Sequence, residues 1–200
     1  MRARHLAGLL SLAALAASDL SAQQARKMPI SIGLALNSVS IDRATADLMA
    51  VHDRAFGGSL DLGFTAKRYL FLAADFGYAG LSDHASFTQS TTGGDKKSSA
   101  GLVTFSALAG PRTPAMGLGP VLPRMSLSLL GGFTKTVGER SIDNCLDCQM
   151  DHLDIPGGAF VQPTVSFGSA NTRLRLSHRQ YLKGDGVRYL VSAGVEVGGR

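Results

Sequence analysis

The chain has 200 residues, 18% of them charged and 44% hydrophobic, with a formal net charge of +5, 24 glycines, two cysteines and no tryptophan. That length fits one domain, and no stretch approaches eighteen continuous apolar residues, which excludes a transmembrane helix. The positive residues are scattered except for "RLRLSHR" (173–179), so the basic balance does not point to nucleic acid.

The chain opens with "MRARH", carrying Arg2 and Arg4, then the short apolar run Leu6 to Ala17, then the small residues Ser21 and Ala22. That order predicts a secretory signal peptide over 1–22, cleaved after Ala22, with one domain over 23–200. The remaining 178 residues hold eighteen Lys and Arg against fourteen Asp and Glu, a net +4. Export places the two cysteines in an oxidising compartment.

Beyond the leader, hydrophobicity alternates with period two, the signature of strands whose faces meet different surroundings. "PISIGLALN" sets Ile30, Ile32, Leu34 and Leu36 against Ser31, Gly33, Ala35 and Asn37. "SLDLGFTA" sets Leu60, Leu62 and Phe64 against Asp61 and Gly63. "YLFLAADFGY" sets Leu70, Leu72, Phe76 and Tyr78 against Asp75 and Gly77. "GLVTFSALA" follows more weakly, with Val103 and Phe105 against Thr104 and Ser106. "RMSLSLLGGF" and "FVQPTVSF" continue, the latter interrupted by Pro163, which predicts an edge or a bulge. "TRLRLSHRQ" sets Leu174 and Leu176 against Arg173, Arg175, Ser177 and Arg179. "VRYLVSAGVEV" sets Val187, Tyr189 and Val191 against Arg188, Ser192 and Glu196.

These are eight predicted strands of about ten residues. Long connections are expected over 38–55, 81–98 and 135–158, and tight ones near Lys67, at "GSAN" and at "KGDG". One face of every strand is almost free of charge. The other is mostly Ser, Gly, Ala and Thr with a few charges: Asp61, Asp75, Arg173, Arg175, Arg179, Arg188 and Glu196. A solvated face would carry abundant Lys and Glu, whereas small residues with a few opposite charges suit the crowded lumen of an eight-stranded barrel. The expected fold is therefore all-β, an eight-stranded antiparallel up-and-down transmembrane β-barrel with its apolar face toward lipid.

On these alternating segments the chain resembles the small eight-stranded outer-membrane β-barrel proteins of Gram-negative bacteria, the OmpA/OmpX-like superfamily, over about 28–199. The resemblance implies a cell outer-membrane location and outer-membrane lipids as partners. It departs from such barrels in ending "VEVGGR" rather than on an aromatic residue, and in its few aromatic side chains.

Pairing the last two strands around "KGDG" opposes Arg173 to Glu196 and Tyr181 to Arg188, and the inward charges are read as a structural pairing network. Ser177 and His178 are adjacent in one strand and point to opposite faces, so they cannot form a nucleophile–base pair. No enzymatic activity, cofactor or metal site is expected. The role read from the chain is structural or interactive, a monomer presenting its long loops to a surface partner. The alternatives are an outer-membrane lipid-modifying enzyme and a soluble lipocalin-like carrier.

Both cysteines fall in "DNCLDCQMDH" (143–152), in the longest connection. A local disulfide between Cys145 and Cys148 is expected. Zinc would find Cys145, Cys148, His152 and an acid such as Asp147 or Asp151, an incomplete match. Calcium could use Asp143, Asp147, Asp151 and Asp154, but the EF-hand pattern, with glycine at its sixth position and glutamate at its twelfth, is absent.

Overall fold

Eight long antiparallel strands close into a barrel in the computed structural model, which describes residues 30–49, 51–66, 69–83, 98–117, 124–142, 151–169, 171–183 and 186–198. They are β1 (Ile30–Ile41), β2 (Val51–Ala66), β3 (Leu70–Asp83), β4 (Ser98–Pro111), β5 (Arg124–Ile142), β6 (Asp151–Gly168), β7 (Thr172–Tyr181) and β8 (Val187–Gly198). Each strand pairs with the next in sequence, and β8 pairs back onto β1 to close the ring. The two-residue segment Met116–Gly117 folds back on Arg124 and Met125 at the lower end of β5. One short helix, α1 (Arg43–Met49), interrupts the strands, and no helix among the described residues is long and apolar enough to cross a membrane.

The register sets the shape of the barrel. Gly33 pairs with Asp61, Asp61 with Asp75, Asp75 with Ser106, Ser106 with Thr134, and Thr134 with Gly158. Continued through β7 and β8, this path returns to β1 about ten residues above its start, so the strands tilt by roughly 40°. The last hairpin has the register read from the sequence, with Thr172 opposite Val197 and Gln180 opposite Tyr189. Pro163 lies where the β6–β7 ladder breaks off between Val161↔Gln180 and Thr164↔Ser177, because proline has no N–H to donate.

Through the lower part of the barrel the apolar side chains point outward. Ile30, Ile32, Leu34 and Leu36 of β1 are exposed, as are Leu60, Leu62 and Phe64 of β2, Leu72 and Phe76 of β3, and Leu174 and Leu176 of β7. A ring with its apolar residues on the outside would aggregate in water, whereas a bilayer core stabilises it. From Phe64 up to Phe56, eight residue steps of a tilted strand rise about 20 Å, near the height of an outer-membrane apolar band.

Above this belt the polarity reverses. Val39, Ile41, Leu81, Leu102, Val187 and Leu190 turn inward and are buried, while Arg54, Glu139, Lys183 and Arg188 are exposed. Along β1 the apolar positions change from even numbers to odd at Val39, without a break in the pairing with β2. The upper barrel is packed like a small soluble protein, on the strands that carry the lipid belt below.

That reversal corrects two expected connections. The one expected over 38–55 holds the end of β1, α1 and the start of β2. The one expected over 135–158 shrinks to 143–150, because β5 runs to Ile142 and β6 begins at Asp151. Asp42 caps α1, accepting from the Thr45 N–H at 3.0 Å and from the Thr45 hydroxyl, and Ala46 of α1 packs into the apolar core.

Candidate functional site in the barrel lumen

Strand β7 aims Arg173, Arg175, Ser177, Arg179 and Tyr181 into the lumen, one at every second position. The acids that meet them come from other strands. Arg175 grips Asp61 of β2 with both guanidinium nitrogens, Nη1 to Oδ1 and Nη2 to Oδ2 at 2.7 Å. The fork matches the carboxylate in plane and spacing, which makes this the strongest type of ion pair a side chain can offer. Asp61 can stand there because its register neighbour is Gly33, where a Cβ would overlap the carboxylate.

Arg179 sits at the centre of a wider net. Its Nη1 donates to Ser106 Oγ at 2.8 Å and approaches Asp75 Oδ1 at 3.5 Å, while Nε donates to Gln162 Oε1 at 2.8 Å. Ser106 in turn shares a 2.9 Å hydrogen bond with Thr134, which also accepts from the Tyr181 hydroxyl at 3.2 Å. The guanidinium stacks 4.3 Å above the centre of the Phe160 ring. At the lower end Arg112 meets Glu196 at 2.9 Å and lies 4.7 Å over the Phe71 ring. Between Phe71, Arg112, Gln162, Arg175 and Glu196 a cavity of about 10 Å³ remains, space for one water.

The structure brings Asp61, Asp75, Arg175 and Arg179 together in the lumen. Arg173 and Glu196 are opposed in register as expected; the Glu196 carboxylate also accepts from Arg112, and Arg173 Nε donates to the Ser169 carbonyl at 3.3 Å. Arg188 does not face the lumen. The β1–β8 register slips between Ser40↔Tyr189 and Ile41↔Val187, so Arg188 is the extra residue of a bulge and is exposed. Arg112 escaped the sequence reading because it lay in an expected connection, although it continues the inward parity of Thr104, Ser106 and Leu108.

Ser177 and His178 diverge. The serine is buried against Ser192 at 2.5 Å, and the histidine is exposed on the outer face. Among the described residues no group of three or more His, Cys, Asp or Glu could hold a metal ion. Residues 1–22, Cys145 and Cys148 lie outside the described residues.

No family model matches the sequence, and no curated protein does. Solved structures do match. Ail, the attachment invasion locus protein of Yersinia pestis, in complex with the heparin analogue sucrose octasulfate, superposes with a TM-score of 0.54 at 15% identity, covering 84% of this chain and 95% of that one. The fold is that of the small eight-stranded outer-membrane β-barrels. A second structure of Ail gives a TM-score of 0.51 at 14% identity, again over 84% and 95% of the two chains. Neisserial surface protein A aligns at 14% identity with a TM-score of 0.46, over 84% and 96%. Eight strands enclose only enough room for their own side chains, so in this outer-membrane barrel fold the lumen charges hold opposite walls together: β7 to β2, β7 to β3, and the turn after β4 to β8.

Proposed function

We propose that this is a non-enzymatic protein of the cell outer membrane, exported by the segment 1–22, inserted as a monomer, and presenting its connections to a surface partner. Two features support the reading: an outward apolar belt, and inward charges that bond to one another rather than converge on a space a substrate could enter. The start of β1, the end of β8 and the short turns at 67–69 and 169–171 share one end, which under this reading is periplasmic, while the short β7–β8 turn lies at the other. The connections at 84–97 and 143–150, the second carrying the proposed Cys145–Cys148 disulfide, then lie outside. Ail shares this architecture and forms a complex with sucrose octasulfate, which fits a scaffold used for display. The separation of Ser177 from His178 weighs against a lipid-modifying enzyme, and the charged lumen weighs against a lipocalin-like carrier.

Cell fractionation tests it. The protein is expected with outer membranes, migrating differently on gels before and after heating. Recovery in the soluble periplasm, with mobility unchanged by heat, overturns it.

A further inference from the structure

On the outer face of β7 polar side chains interrupt the apolar belt. At the height where other strands show Leu36, Leu60, Phe76, Phe133 and Val191 to the outside, β7 shows His178, and Gln180 follows above it. The Tyr189 ring of β8 lies beside the His178 ring, with centroids 5.8 Å apart and planes at 31°. Gln180 Nε2 donates to the Arg188 carbonyl at 3.3 Å, tying the two strands on this face. Arg188, expelled from the lumen by the bulge, and Lys183 are both exposed on the same hairpin. Beside His178 lies Pro163, at the break in the β6–β7 ladder.

We propose that this outer face of β7 and β8 holds the phosphate-bearing headgroup of a lipid from the leaflet on the loop side. The inference rests on the membrane reading above. A histidine with two ring nitrogens, an amide and a tyrosine two strand positions inside an apolar belt expose polar groups to hydrocarbon, which is costly. A headgroup drawn down along the hairpin removes that cost. The exposed Lys183 and Arg188 at its upper end match an anion, and cations at a membrane surface attract anionic lipid. The acyl chains of such a lipid would lie along Val191, exposed opposite His178, and Leu176, exposed just below it.

The chain has no tryptophan, so a single introduced one reports locally. Tyr189→Trp places it in the site, and Phe76→Trp places it on β3, away from the hairpin and between Leu60 and Phe105. Each protein is folded into phosphatidylcholine vesicles containing brominated phosphatidic acid or brominated phosphatidylcholine, and quenching gives the relative lipid affinity. At Tyr189→Trp phosphatidic acid is expected to bind roughly five-fold tighter. No such preference is expected at Phe76→Trp, and in Tyr189→Trp carrying His178→Leu and Arg188→Gln the preference should fall to that of the control. Equal preference at both positions, none at either, or one untouched by the paired substitution each overturns the proposal. Heat-modifiable migration in the same vesicles reports insertion separately, so failure of the membrane reading shows as failure to fold there, not as a lost preference.

Discussion

The lower and upper parts of the barrel are made of the same strands and carry opposite polarity. Below, Leu34 and Leu62 face out while Asp61 and Arg175 face in. Above, Val39, Ile41 and Leu102 face in while Arg54 and Glu139 face out. Strand alternation therefore says that two faces differ, and only the surroundings say which face is buried. In lipid the interior is the place for charge, provided each charge is bonded. Beyond the lipid the interior again excludes water by apolar packing, which closes the mouth of the lumen.

The sharpest way to break this comparison is to remove one charge from the lower lumen. Asp61→Ala leaves Arg175 buried without its carboxylate, and the expected loss is about 3–5 kcal/mol in urea unfolding from detergent or vesicles. Replacing both, Asp61→Leu with Arg175→Met, should recover most of that loss. A single substitution costing no more than the double would show that the pair contributes no specific bonding. In the upper part the matching deletion is apolar. Leu102→Ala, at a fully buried position, should cost about 2–5 kcal/mol through lost transfer and the cavity left behind. Values below about 1 kcal/mol would mean the upper interior is not packed.

The belt was the legible region. From Ile30 to Leu36, Leu60 to Phe64 and Leu174 to Leu176, lipid and lumen impose contrary demands on alternate residues, so the pattern survives in sequence. The upper barrel, a collar above the belt, was misread as loops, because the apolar phase changes at Val39 and a count begun in the belt then assigns Ile41 to the wrong face. Arg188 was misplaced for a related reason: a bulge shifts parity, and no local residue type announces it. The partners of the lumen arginines depend on strand tilt. β7 meets β2 across the lumen through a register that circles eight strands, which no pairing of neighbours reveals. Arg112 could have been found by continuing the β4 alternation two residues past Gly110.

Reversing the outer surface tests the same boundary at smaller amplitude. Leu62→Arg puts a charge in the belt and should cost roughly 2–4 kcal/mol, falling toward zero only if that face meets water. Gly80→Lys is its counterpart in the collar. Gly80 is exposed, and a Cβ there has open space, so stability should change by no more than about 0.5 kcal/mol. Equal costs at the two positions would erase the boundary between belt and collar. Labelling Leu62→Cys and Asp61→Cys with a water-soluble reagent sharpens it further, since the first should be protected in vesicles.

A smaller effect than that of a charge in the belt concerns how the collar is fastened. Asp42 joins two connections: its N–H donates to the Gly186 carbonyl at 2.7 Å, and its carboxylate accepts the Gly186 N–H at 2.6 Å while capping α1. Gly186 turns at a φ of 86°, which a residue with a side chain rarely adopts. Burial pushes the Asp42 carboxyl up, but hydrogen bonds from the Thr45 side chain and backbone and from the backbone of Gly186 and Ala44 outweigh it and hold the group below its ordinary value of 3.8. A carboxyl lowered by folding contributes its stability in full above that ordinary value and loses it as pH falls through the lowered one. Amide exchange at Thr45 and Gly186, taken relative to the intrinsic rate at each pH, should therefore quicken below about pH 4 in the native protein. Asp42→Ala should quicken it at every pH by the loss of a helix cap, about 1 kcal/mol, and should abolish the acid step. An acid step that persists in the variant would place the titrating group elsewhere and leave Asp42 as a cap alone.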